Sequence, residues 1–186
     1  MVPLTSLWIP IVVSAVVVFL ASSVLHMLFT YHRKEFRRLP DEEKLMDAMR
    51  QAGITPGNYN FPWSQSAKEM GSPEMIDKFK AGPVGILTVI PSGPPAMGKY
   101  LVQWFLFCLF VGVVVAYLTG RTLTAEANYL AVFRVAGTVA FLSHASAHIP
   151  SGIWKGQGWS LTIKEVFDGL IYGLLTAGVF GWLWPR

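Results

Sequence analysis

Four histidines, His26, His32, His144 and His148, and two carboxylates, Glu165 and Asp168, are the residues of this sequence best suited to chemistry. Neutral imidazole ligates zinc, copper and iron, and it titrates near neutral pH, so metal binding and proton transfer are both open to it. In the run SHASAH, His144 and His148 are four residues apart, which places them on one face of a helix. Glu165 and Asp168, three apart, nearly share a face, and Ser22 falls on the same side as His26.

Three roles compete for this group. In the first, imidazoles and carboxylates hydrogen-bond one another and staple helices together. In the second, His26, His144, His148 and a carboxylate hold a metal, or histidines ligate a haem; zinc, iron and haem are the candidate cofactors, with none as the default. The third is a proton or ion relay. H-x-x-x-H alone specifies little, because no glutamate follows the first histidine as it does in zinc proteases. The single cysteine, Cys108, lies in an apolar run, so neither an intrachain disulfide nor a cysteine metal motif is available. Nucleophile motifs, phosphate loops and dinucleotide fingerprints are absent.

The elements that must carry these residues are membrane helices. Of 186 residues, 53% are hydrophobic and 14% charged, against about 25% charged in an ordinary soluble domain. A spanning helix needs roughly 20 mostly apolar residues. Four segments meet that need, at about 7–31, 100–118, 129–148 and 163–184. Pro10 suits the first turn of span one, Gly120 is a stop for span two, Pro150 follows span three, and Pro185 closes span four. In lipid each must be helical, since no water satisfies free backbone groups. The expected fold is an all-α integral membrane protein, a four-helix bundle forming one membrane domain over 1–186.

Lys and Arg give the orientation. Ten lie between 32 and 99, and Lys155 and Lys164 join them on the same side. Arg121 and Arg186 lie on the other, with Arg134 inside span three. The richer side is cytoplasmic, so both termini face outward, in a cell (inner) membrane. Trp8, Tyr117, Tyr129, Trp182 and Trp184 at outer ends, and Tyr31, Tyr100, Trp104, Trp154 and Trp159 at inner ends, agree with it. A cleaved signal peptide fits poorly, because HRKEFRR follows the first apolar run and no charged side chain precedes it. Arg33, Lys34, Arg37 and Arg38 suit lipid headgroups, and Arg134 is placed to snorkel outward. On this topology all four histidines gather at the cytoplasmic leaflet, with Glu165 and Asp168 beside them.

The 32–99 insert is expected to form a cytoplasmic cap. Asp41–Ala52 reads as an amphipathic helix with Leu45, Met46 and Met49 on its stripe, and Ser72-Pro73-Glu74 starts a second that Gly82-Pro83 ends. TPGNYNFPW reads as irregular, and GILTVI as a short apolar run. Within the membrane, Gly169, Gly173, Ala177 and Gly181 repeat every four residues, opposite a stripe of Ala136, Ala140, His144 and His148. Small residues at that spacing let helices approach closely, which predicts an antiparallel pair of spans three and four.

The leading expectation is a small non-catalytic subunit or scaffold of a membrane complex, working through helix packing and its cap. The alternative is a metal- or haem-binding, redox-linked membrane protein. A small ion or proton transporter is third; its apolar spans one and two would require an oligomer. The expected partners are the bilayer, further copies of the chain or other membrane subunits, and no nucleic acid.

Overall fold

The computed structural model describes residues 1–185, so Arg186, counted on the outer side, lies outside the described residues. In chain order the elements are α1 (Trp8–Met27), α2 (Glu42–Gln51), β1 (Gly57–Phe61), α3 (Ala67–Met70), α4 (Pro73–Ala81), β2 (Gly85–Val89), α5 (Met97–Thr122), α6 (Tyr129–Ala145), α7 (His148–Trp154) and α8 (Trp159–Trp182). Short 3₁₀ turns occupy Leu4–Leu7 and Arg33–Glu35. The chain is mostly helical and divides into two compact units, Met1–Phe36 with Ala96–Arg186, and Arg37–Pro95.

Three helical stretches are long and apolar enough to cross a membrane: Leu4–Met27, Met97–Thr122 and Tyr129–Trp154. At about 1.5 Å per residue, the first two exceed a hydrocarbon core of about 30 Å. The fourth long helix, α8, carries Lys164, Glu165 and Asp168 within its first turns, which shortens its apolar stretch.

In the first unit α6 packs on α8, α1 on both α5 and α8, and α5 on α6. One apolar cluster joins Leu7, Ile11, Val111, Val115, Val132, Ala136, Ala140 and Phe180; a second joins Ala15, Val18, Cys108 and Tyr172. The closest approach is between α6 and α8, which run antiparallel. A side-chain carbon added to Gly169 would lie 2.8 Å from the Ala145 methyl, and one added to Gly173 would lie 3.0 Å from the Phe141 backbone nitrogen. The α6 face so engaged is Gly137, Phe141 and Ala145. Ala136 and Ala140 sit one residue round the helix, in the cluster shared with α5.

Several boundaries differ from the expected spans. Span one stops being helical at Met27, four residues before Tyr31. Gly120 lies inside α5 instead of ending it. Its missing side chain admits the N-terminal segment: the Val2 N–H donates to the Gly120 carbonyl at 2.8 Å, and an added carbon would lie 2.6 Å from the Val2 carbonyl oxygen. Pro150 does not close span three either. The helix breaks at Ser146–Ala147 and restarts as α7, where Pro150 occupies the first turn and its missing N–H has no carbonyl to bond.

The second unit is not purely helical, which corrects the all-α expectation. β1 and β2 pair antiparallel, from Gly57 opposite Val89 to Phe61 opposite Gly85. Thus GNYNF is a strand, and the insert is not two helices joined by an irregular loop. α4 begins as its sequence dictates: Ser72 Oγ accepts from the Met75 N–H at 3.2 Å, and Pro73 follows. The boundary between units falls at 36/37 and not at 31/32, because residues 31–35 are bonded to α8.

Candidate functional site

The end of α1 and the start of α8 build the site together. No glycine or proline stops α1, and the chain leaves the helix where Tyr31, His32 and Glu35 find partners on α8. Those partners, Ser160, Lys164 and Asp168, recur every four residues and so form one face of α8. Tyr31 donates its hydroxyl to Asp168 Oδ1, and His32 Nε2 lies 2.7 Å from Oδ2 of the same carboxylate. Lys164 donates to the Tyr31 carbonyl at 3.1 Å and also to the Glu35 carboxylate. Ser160 donates to Glu35 Oε1 at 2.8 Å.

These bonds have an electrostatic consequence. The hydrogen bonds from Lys164 and Ser160 hold the Glu35 carboxyl below its usual range, outweighing the opposing effect of desolvation. A carboxyl whose folded value is depressed contributes stability above its unfolded value, and that contribution fades as pH falls through the folded one. The 31–35 segment should therefore loosen from α8 in acid, at pH values below the ordinary carboxylate range. Amide hydrogen exchange at residues 33–36 of the wild-type chain should quicken there, whereas a Glu35→Gln chain should exchange fast at every pH. Identical pH profiles for the two would rule out this contact.

Asp168 is buried, with 3% of its surface exposed, so its two donors matter. His26, on the last turn of α1, places its ring edge-on to His32 with centroids 4.9 Å apart. His26, His32 and Asp168 each offer a ligand atom, and the three atoms lie within 4.8 Å of one another. Ligands at 2.0–2.2 Å from one zinc are roughly 3–4 Å apart, so the three side chains would have to draw together to hold an ion. Tyr31, bonded to Oδ1, would then orient the carboxylate while Oδ2 faced the ion.

The other candidates divide differently. His148 Nδ1 lies 3.0 Å from Glu165 Oε2, and Gln157 also donates to that oxygen. His144 has no hydrogen bond or ion pair to a carboxylate among the described residues. Its ring lies edge-on to Phe107 at 5.6 Å and to Tyr172 at 5.3 Å, with Trp104 at 6.1 Å. Nδ1 of His144 and the Tyr172 hydroxyl are both enclosed and have no hydrogen-bond partner among the described residues. His148 opens α7 just beyond the turn at Ser146–Ala147 and lines the same cleft as His144.

Both groups line a cleft of about 530 Å³, whose walls include all four histidines with Glu165 and Asp168. His32 is the residue that spacing arguments left out of the ligand set. It looked like part of the basic run after span one, and only the early end of α1 turns it back toward Asp168. Of the headgroup candidates, Arg33 and Lys34 are exposed in the 3₁₀ turn, and Arg37 and Arg38 begin the second unit. Arg38 lies 3.8 Å from Glu42, and Arg134 is exposed on α6. No family model, curated protein or solved structure matches the chain, so its chemistry rests on this geometry.

Proposed function

We propose that this chain is an integral membrane protein that binds a divalent transition metal at the inner ends of its helices. The observation that carries the reading is that ligand atoms of His26, His32 and buried Asp168 lie within 4.8 Å of one another on the wall of the cleft. Two imidazoles and one carboxylate form the donor set of catalytic zinc and of non-haem iron(II), both of which leave positions free for water or substrate. His144 and His148 stand outside that set, His144 among aromatic rings and His148 on Glu165. Protein purified without chelator should carry about one transition-metal ion per chain, and elemental analysis of the His32→Ala chain should find little. A wild-type chain that stays metal-free after exposure to zinc and to iron(II) would end the reading.

The same proposal takes α8 as a fourth span, with both termini outside and the 37–95 unit in the cytoplasm. The distribution of Lys and Arg supports it, as does the antiparallel fit of α8 along α6. With Cys108 buried, a Ser66→Cys chain tests the orientation. An impermeant maleimide should label it in inside-out vesicles and spare it in intact cells; the reverse pattern would invert the topology. A second reading, the non-catalytic subunit or scaffold, is favoured by the apolar stripe that α2 exposes through Leu45 and Met46. That role predicts a stoichiometric partner protein retained through purification, and a chain that runs alone counts against it.

A further inference from the structure

We infer that the cleft also binds a planar, carbonyl-bearing ring of the benzoquinone type, reached from the lipid phase. The inference goes beyond the metal reading and does not depend on an ion. Its first support is the shape and chemistry of the walls. Trp104 and Phe107 present stacked rings, 5.5 Å between centroids and 28° from coplanar, beside the edge-on ring of Tyr172. Such a surface favours a flat ring over a flexible chain, through offset stacking and edge contacts. A volume of about 530 Å³ accommodates a substituted single ring, within the range of ordinary ligand pockets.

The second support is an unpartnered polar side chain. His144 is 93% buried, lines the cleft, and has no hydrogen-bond partner among the described residues. A neutral imidazole carries one N–H and one bare nitrogen. Nδ1 is enclosed with no acceptor nearby, and a buried N–H without a partner is rarer than an unpaired acceptor. On that ground we assign the hydrogen to Nε2, the ring nitrogen that is not enclosed. That makes His144 a donor awaiting an acceptor, which a ring carbonyl supplies. Tyr172, whose hydroxyl is also enclosed without a partner, offers a second donor after a small shift.

The third support is the mouth. Phe107 and Phe36 line the cleft yet are 38% and 74% exposed. Phe107 lies on α5, one of the stretches apolar enough to span a membrane, so its exposed face meets lipid. A ligand dissolved in the bilayer enters past it, whereas a charged cytoplasmic metabolite gains nothing from such a rim.

Duroquinone, a lipid-soluble benzoquinone, is the probe. Chelator-treated protein in nanodiscs is titrated by equilibrium binding, alongside His144→Leu, Phe107→Ala and Phe110→Ala chains. Phe110 is exposed on the same helix but does not line the cleft, so it reports partitioning into lipid alone. The wild-type and Phe110→Ala chains should bind one equivalent saturably. His144→Leu should weaken that binding at least tenfold and Phe107→Ala several-fold. Linear, unsaturable uptake, or equal binding by all four chains, would overturn the inference. Because the protein is metal-free in this assay, its outcome stands apart from that of the metal analysis.

Discussion

Gly169→Ala and Gly173→Ala should each lower the thermal midpoint of the purified protein, although alanine is the better helix former. Replacing a helical glycine with alanine gains about 0.5–1 kcal/mol from backbone entropy. Against that stands overpacking, which costs typically 1–3 kcal/mol when nothing can yield. At Gly169 the new methyl would lie 2.8 Å from the Ala145 methyl and 3.0 Å from its backbone nitrogen and Cα. At Gly173 it would lie 3.0 Å and 3.1 Å from the Phe141 nitrogen and Cα. Backbone cannot rotate away, so α6 and α8 must separate along their length. If α8 spans the bilayer as proposed, that loss is not recovered elsewhere, because helix association in lipid depends on van der Waals fit more than on apolar burial.

Gly178 is the control. Its added methyl meets only the Tyr129 hydroxyl at 3.9 Å, so Gly178→Ala should show the entropy gain alone and raise the midpoint. Gly181→Ala should fall between, since its clash at 2.6 Å is with the Tyr129 ring, which can swing aside. Equal midpoints for Gly169→Ala and Gly178→Ala would show that the close approach of α6 and α8 is not what holds them.

Asp168→Ala should both release the segment after α1 and abolish metal binding. The buried carboxylate is the common acceptor for Tyr31 and His32, and Lys164 holds the same segment through the Tyr31 carbonyl. Leaving a buried donor without its acceptor costs about 1–3 kcal/mol. The His32 side chain is 16% exposed and can turn to water, so the lower end of that range applies. Trypsin should then cut after Arg33 and Lys34 faster than in the wild-type chain. Tyr31→Phe separates positioning from ligation: it keeps the ligands but frees the carboxylate, and should weaken metal affinity by roughly 10–100-fold. An Asp168→Ala chain that still binds metal at wild-type affinity would remove the carboxylate from the site.

That the four histidines lie near one another was legible in the sequence, because each sits at the corresponding end of a long apolar run. Their pairing was not. Glu165 and Asp168 are three residues apart and differ by about 60° around the helix. That suffices to turn Asp168 toward the end of α1 and Glu165 toward His148. His32 depended on α1 ending at Met27, and no residue there breaks a helix. The small-residue stripe of α8 was readable, but its partner face on α6 lay one residue on, at Gly137, Phe141 and Ala145. The strand at Gly57–Phe61 was hidden because only Tyr59 and Phe61 are apolar, and its partner lies beyond two intervening helices.

Titration of the chelator-treated chain with cobalt(II), followed by visible absorption, tests the central claim most directly. The account predicts d–d bands that saturate at one equivalent of cobalt, are displaced by zinc, and are lost in His26→Ala, His32→Ala and Asp168→Ala chains alike. His148→Ala should leave those bands unchanged, because that imidazole bonds Glu165 instead. A spectrum that stays that of aqueous cobalt, or bands that survive loss of His32 and Asp168, would contradict the account.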